Sequence, residues 1–281
     1  MSSKAVTSRD NPQYKQLRQL ATSAQARRKQ GKTLLDGVHL CDAWLQHRGA
    51  PELCVFADGA LSHSEVSVIV GRCKDMGVDC LQLPDALYSS LSQVEHGVAL
   101  LFVVPVPLAK AVTAIEVSTI LLDGLQDPGN LGSILRSAAA AGIRQVICGE
   151  GTVAAWSPKV LRAGMGAHFV LDIIEQADLG SWMAAATVPV YATSSHASAT
   201  IYETSLAAPC AWLFGHEGSG VSAELLGRVT KALAIPQQSG VESMNVAAAA
   251  AVCLFEQRRQ MLVQATGTGD STYTSPGATQ R

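Results

Sequence analysis

The chain has 281 residues, 48% of them hydrophobic and 16% charged, with a formal net charge of −2. That much apolar sequence can fill two cores, and no apolar run reaches the roughly 18 to 20 residues of a membrane span. The near-neutral charge excludes a uniformly basic polyanion binder, yet it averages over an asymmetry. Residues 1–32 hold Lys4, Arg9, Lys15, Arg18, Arg27, Arg28, Lys29 and Lys32 against the single acid Asp10, a net of +7 that leaves −9 for the rest. The seven cysteines form no Cys-x-x-Cys and no His pair stands at zinc spacing, so buried thiols and no metal are expected. The polar N-terminus carries no signal-peptide core, and the expected location is cytoplasmic.

Tyr14, Leu17 and Leu20 at three-residue spacing predict one short basic amphipathic helix over 11–30. The next elements expected are a strand end at 34–37, a helix over 39–48 stopped by Gly49 and Pro51, and a buried strand over 53–56. A helix over 66–76 and strands over 79–83 and 98–104 then complete a small α/β unit. The prolines after residue 104 predict a connector over 105–116, because proline fixes φ and cannot donate to a ladder.

Beyond it, strands are expected over 118–122, 145–148, 169–173, 188–192, 211–214 and 232–235. Helices are expected over 131–141, 158–165, 181–186 and 243–260. Continuous apolar strands alternating with helices predict a mostly parallel sheet covered on both faces. The Gly/Thr/Ser-rich segment 264–281 is expected to be disordered.

Three polar, glycine-containing loops follow apolar strands in this second half: 123–130, 215–220 and 235–245. In an open α/β sheet such loops converge on one crevice, so they are expected to form one site. In the first, Asn130 is placed at the N-cap of the following helix. Arg136, among small residues, is expected to point at an anion or carboxylate, with Glu217 able to pair with it. Gly215 to Ser222 nearly spells a phosphate-binding loop, but Val221 stands where the cation must be, which argues against nucleotide hydrolysis. No dinucleotide fingerprint and no nucleophile elbow follow any predicted strand.

At these loops the sequence resembles the SpoU (TrmH) family of RNA ribose 2'-O-methyltransferases, of the SPOUT class. Leu122-Asp-Gly-Leu-Gln-Asp-Pro-Gly-Asn130 through Arg136 is similar to the first family motif, Phe214-Gly-His-Glu-Gly-Ser-Gly220 to the second, and Ile235-Pro236 with Glu242-Ser243-Met244-Asn245 to the third. The segments 8–12 and 35–38 also resemble the substrate-recognition domain of many relatives. Met244 stands where Leu is usual, Ala247 where Ser is common, and Gly164 where Ser is frequent.

The resemblance implies an α/β fold with a C-terminal knotted (trefoil) parallel-sheet SPOUT domain at 117–263, preceded by a small α/β RNA substrate-recognition domain at 1–104. It implies S-adenosyl-L-methionine as cofactor, held by Leu213, Gly215, Gly218, Ile235 and Met244 with Thr193. It also implies a homodimer acting on structured RNA, ribosomal in preference to transfer RNA, with no membrane partner. Arg136 is the implied catalytic residue, with Asn130, Glu217, Ser243 and Asn245 orienting Arg136, the ribose or the cofactor. A guanidinium holds its charge and makes a poor base, so a phosphate clamp is an equal role for Arg136. Arg9, Arg27, Arg28 and Lys29 are the expected RNA contacts. The alternative is a catalytically silent RNA-binding scaffold of the same fold.

Overall fold

The structure, a computed structural model, describes residues 3–92, 97–107, 114–238 and 243–267. The first sheet comprises β1 (Lys4–Ala5), β2 (Lys32–Asp36), β3 (Leu53–Ala57), β4 (Cys80–Leu83) and β5 (Leu100–Pro105), in the order β1-β4-β3-β5-β2. It is mixed: β4 runs parallel to β1 and β3, while β5 is antiparallel to β3 and β2. Around it lie α1 (Pro12–Thr22), α2 (Ala24–Gln30), α3 (Val38–His47), α4 (Ser64–Asp75) and α5 (Asp85–Tyr88).

The single basic helix expected over 11–30 is two helices. Ser23 is extended (φ −117°, ψ 115°), and its hydroxyl accepts from the Ala26 amide, so it ends α1 and caps α2. The expected connector also starts later than residue 105. Pro105 closes β5 opposite Lys32, at a strand end where a missing N–H costs little, and residues 108–113 lie outside the described ones.

The second sheet comprises β6 (Thr119–Leu122), β7 (Gln145–Gly149), β8 (Asp172–Ala177), β9 (Val190–Thr193), β10 (Ala211–Phe214) and β11 (Lys231–Leu233). Its order is β11-β9-β10-β6-β7-β8, with every pairing parallel. Parallel neighbours need crossovers, supplied in part by α6 (Pro128–Ala141), α7 (Pro158–Gly164), α8 (Leu179–Ala184) and α9 (Ala223–Leu226), while α10 (Val246–Gly267) follows the last strand. The period-2 alternation sorts side chains between two cores. Ile120, Leu122, Trp212 and Phe214 join the larger one, and Leu121 and Leu213 the other. Each such buried side chain contributes about 1.5–3 kcal/mol of transfer free energy.

The strand expected at 169–173 lies at 172–177 instead. Gly166 is left-handed (φ 87°) and starts a short 3-10 turn through Phe169, which takes the first residue of the expected strand. The last helix runs Val246–Gly267, so residues 264–267 are helical, contrary to the expected tail, and 268–281 lie outside the described residues. Gln257, 1% exposed, ties it to the core by accepting from Trp212 Nε1 at 2.9 Å and donating to Ser118 Oγ at 3.0 Å. Arg258 donates to Ala141 O at 3.1 Å, satisfying a carbonyl at the end of α6.

The larger core runs without interruption from the first sheet into the second. Thr33 Oγ1 donates to Trp156 O at 2.7 Å, and Trp44 meets Phe169 edge-to-face with centroids 5.3 Å apart. Beside them His168 is fully buried, its Nε2 2.9 Å from Ala155 O. A Cβ on Gly164 would sit 2.6 Å from His168 Cε1, so the buried histidine at 168 requires a glycine at 164. Among the described residues, no helix is long and apolar enough to cross a membrane.

Candidate active site

The strands β6 and β10 are neighbours, which sets the first two glycine loops side by side. Asp123 N donates to Phe214 O at 2.9 Å, and Asp123 Oδ2 accepts from the Ser222 amide at 2.8 Å. The helix after the first loop begins one turn earlier than expected. Asp127 is its N-cap, accepting from the Asn130 amide at 2.7 Å, with Pro128 at the first helical position. Asn130 is therefore not the cap, and its side chain is free to leave the helix.

It does so by joining the three loops. Asn130 Nδ2 donates to Glu217 Oε1 at 3.1 Å, and Asn130 Oδ1 accepts from Asn245 Nδ2 at 2.9 Å. Asn245 Oδ1 in turn accepts from the Ala247 and Ala248 amides at 2.9 and 3.2 Å and so caps α10. Glu217 also accepts from the amides of Asp127 at 3.0 Å and Gln126 at 3.3 Å. Desolvation pushes its carboxyl up, but the bonds from Asn130 and these amides outweigh it and hold the pKa below the ordinary value.

Residues 216–220 form a ring closed by two main-chain bonds, His216 N to Gly220 O at 3.0 Å and Gly220 N to His216 O at 2.9 Å. Gly215 admits this return: a Cβ there would lie 2.1 Å from Gly220 C and 2.2 Å from Val221 N. The ring is one wall of a cavity of about 560 Å³, also lined by Thr193, Ile235, Ser243, Met244 and Asn245. That volume lies within the range of small-molecule sites.

Of the residues singled out from sequence, Thr193, Gly215, Gly218, Ile235, Met244, Glu217, Ser243 and Asn245 line this cavity, and Asn130 borders it through its two side-chain bonds. Leu213 does not. It is fully buried within β10 and faces the smaller core. Glu217 is engaged by Asn130 and amides rather than by Arg136, correcting the expected pair. Arg136 is exposed on α6, with no hydrogen bond or ion pair to a described residue. Glu242 lies outside the described residues.

In the basic segment, Arg9, Arg28 and Lys29 are exposed. Arg27 is half-buried and donates to Leu20 O at 2.8 Å, so it serves the end of α1. Asp123, Asp127 and His216 were not singled out from sequence. Asp-Pro before a helix signals a cap, but the other two become visible only with the loops folded together.

A profile of the SpoU rRNA Methylase family matches residues 118–255. The chain is 31% identical over 258 residues to the 23S rRNA (guanosine(2553)-2'-O)-methyltransferase RlmP of Bacillus subtilis, spanning 91% of this chain and 99% of that protein. It is 34% identical over 282 residues to an uncharacterized tRNA/rRNA methyltransferase of Synechocystis, spanning 93% and 96%. The AdoMet-bound rRNA methyltransferase of Sinorhizobium meliloti has the same fold, with a TM-score of 0.78 at 26% identity over 92% of this chain and 99% of that one. Fold and site thus define an α/β methyltransferase with parallel-sheet topology. The chain belongs to the SpoU family of RNA methyltransferases, and its methyl donor is S-adenosylmethionine.

Proposed function

We propose that this chain methylates a ribose 2'-hydroxyl of structured RNA, ribosomal rather than transfer RNA. The observation that carries the proposal is the run of bonds from Asn245 through Asn130 to Glu217, which joins all three loops beside the cavity. The residues fit the donor. Ile235, Met244, Val246 and Leu226 offer an apolar wall, Thr193 and the 215–220 backbone offer polar partners, and no Lys or Arg is among the described lining residues to repel a positive sulfur.

When bound, S-adenosylmethionine supplies a methyl carbon activated by its sulfonium. The protein must then align the ribose oxygen and ease the loss of its proton. We assign cofactor binding to Thr193, Gly215, Gly218, Ile235 and Met244. Asn130, Glu217, Ser243 and Asn245 hold the wall next to the reacting groups. Arg136, exposed and without a partner among the described residues, clamps the phosphate beside the target ribose and so stabilises the hydroxyl as it loses its proton.

Residues 1–104 are the RNA-recognition unit in this account and 117–263 the catalytic one. We also assign the chain the trefoil knot of its class and a homodimeric state. Exposed Phe255, Leu262 and Val263 on α10 support a covered face there. All seven cysteines are free thiols, which fits a reducing cytoplasm. The test is calorimetry with S-adenosylmethionine and its demethylated product. Both are expected to bind, and Gly218→Trp to weaken binding; no heat and no thermal shift from either ligand would refute the cofactor assignment.

A further inference from the structure

His216 opens the loop that walls the cavity, and its ring makes contacts that belong to a short amide side chain. Its Nδ1 accepts from the Gly218 amide at 2.9 Å and from the Ser219 amide at 3.3 Å. A ring nitrogen that accepts two N–H groups holds no proton, so in the neutral ring the proton sits on Nε2. Asn and Asp side chains close turns in this manner, bonding the amide two residues on. The Oδ1 of an asparagine and the Nδ1 of a histidine stand at the same place, both bonded to Cγ.

The two bonds act where the main chain alone leaves the turn open. The backbone ring joins only 216 and 220, at its neck. Without an acceptor inside, the amides of Gly218 and Ser219 would turn to water. The residue between His216 and Gly218 is Glu217, whose carboxylate receives Asn130 Nδ2 and the Asp127 and Gln126 amides. The same turn therefore places both the cavity wall and the carboxylate that joins the first loop to the second.

We propose that His216 is a positioning residue, its Nδ1 holding the 216–220 turn closed so that Gly218 and Glu217 keep their places at the cavity. The proposal rests on that cavity being the cofactor site.

The test compares the full chain with His216→Asn, which keeps an acceptor at the δ position, and His216→Gln, which moves the polar atoms one bond further out. Loss of two bonds should weaken S-adenosylmethionine binding about tenfold in His216→Gln, with His216→Asn restoring most of it. Amide hydrogen exchange of the ligand-free proteins supplies the readout that needs no cofactor. The Gly218 and Ser219 amides should exchange slowly in the natural chain and His216→Asn, and about tenfold or more faster in His216→Gln.

Equal exchange and equal affinity in all three, or an Asn variant as weak as the Gln variant, would overturn the proposal. Protected amides in a natural chain that binds no S-adenosylmethionine would overturn the cofactor assignment, and this proposal with it. Should His216→Gln fail to fold, the natural chain and His216→Asn decide: protection of both amides in both proteins supports the proposal, and rapid exchange in the natural chain overturns it.

Discussion

Asn130 and Glu217 are 87 residues apart in the chain and joined by a 3.1 Å hydrogen bond in space. Because the same Asn130 amide receives Asn245 Nδ2, removing one side chain releases both neighbours. Asn130→Ala and Asn245→Ala should therefore be non-additive, with a coupling of about 0.5–1.5 kcal/mol by denaturant unfolding. Strict additivity would mean that the three loops are held by something other than this run of amides.

Arg136 is separated from that run and faces solvent. Arg136→Ala should reduce methyl transfer by about a hundredfold or more while leaving cofactor affinity and the thermal midpoint within error. Arg136→Lys keeps a charge but loses the planar fork, and should recover only part of the rate. Single-turnover kinetics on RNA distinguish these outcomes, and wild-type turnover in Arg136→Ala would remove the residue from the mechanism.

Burial lowers the His168 pKa from 6.5 to about 4, despite its bond to Ala155 O. Between those values the unfolded chain binds a proton that the folded chain refuses, so stability falls as pH falls and is restored above the unfolded value. The loss at pH 4 should approach about 3 kcal/mol. Burial also raises the pKa of nearby Glu175, which works in the opposite sense, so the clean measure is a difference. His168→Gln, which can place an Nε2 donor toward Ala155 O, should lose less stability from pH 7 to pH 4 than the natural chain does. Parallel pH profiles would contradict the assignment.

The basic segment divides by its contacts. Arg27→Ala should cost stability through the freed Leu20 carbonyl, whereas Arg9, Arg28 and Lys29 are exposed. Replacing those three together should weaken all RNAs alike and flatten the salt dependence by up to about 0.7 log units per lost contact on single strands. The methylated nucleotide should not change. An unchanged slope would leave these side chains as solvated surface.

Much of this architecture was legible in the sequence because it rests on continuous apolar runs. Ala211–Phe214 is a strand with the predicted bounds, since every residue in it is buried. The edge strand β8 is hard to place from sequence, because Asp172, Glu175 and Gln176 interrupt its apolar pattern while Phe169 before it serves a turn. Asn130 reads as a cap from its place before the apolar periodicity, but Asp127 followed by Pro128 takes that role. The site residues were reachable through the three motifs, but their partners were not. Nothing in local spacing says that Asn130 meets Asn245, that Leu213 faces away from the cavity, or that a histidine at 216 closes the turn after it.

The central claim concerns the atom that receives the methyl group. The purified chain should be incubated with methyl-labelled S-adenosylmethionine and unmodified ribosomal RNA, and the product then cleaved in alkali and analysed by mass spectrometry. Alkaline cleavage needs a free 2'-hydroxyl, so ribose methylation should leave one labelled, alkali-resistant dinucleotide, with no label on the equivalent DNA. Label recovered on a base, or no incorporation into RNA by a chain that binds the cofactor, would contradict it.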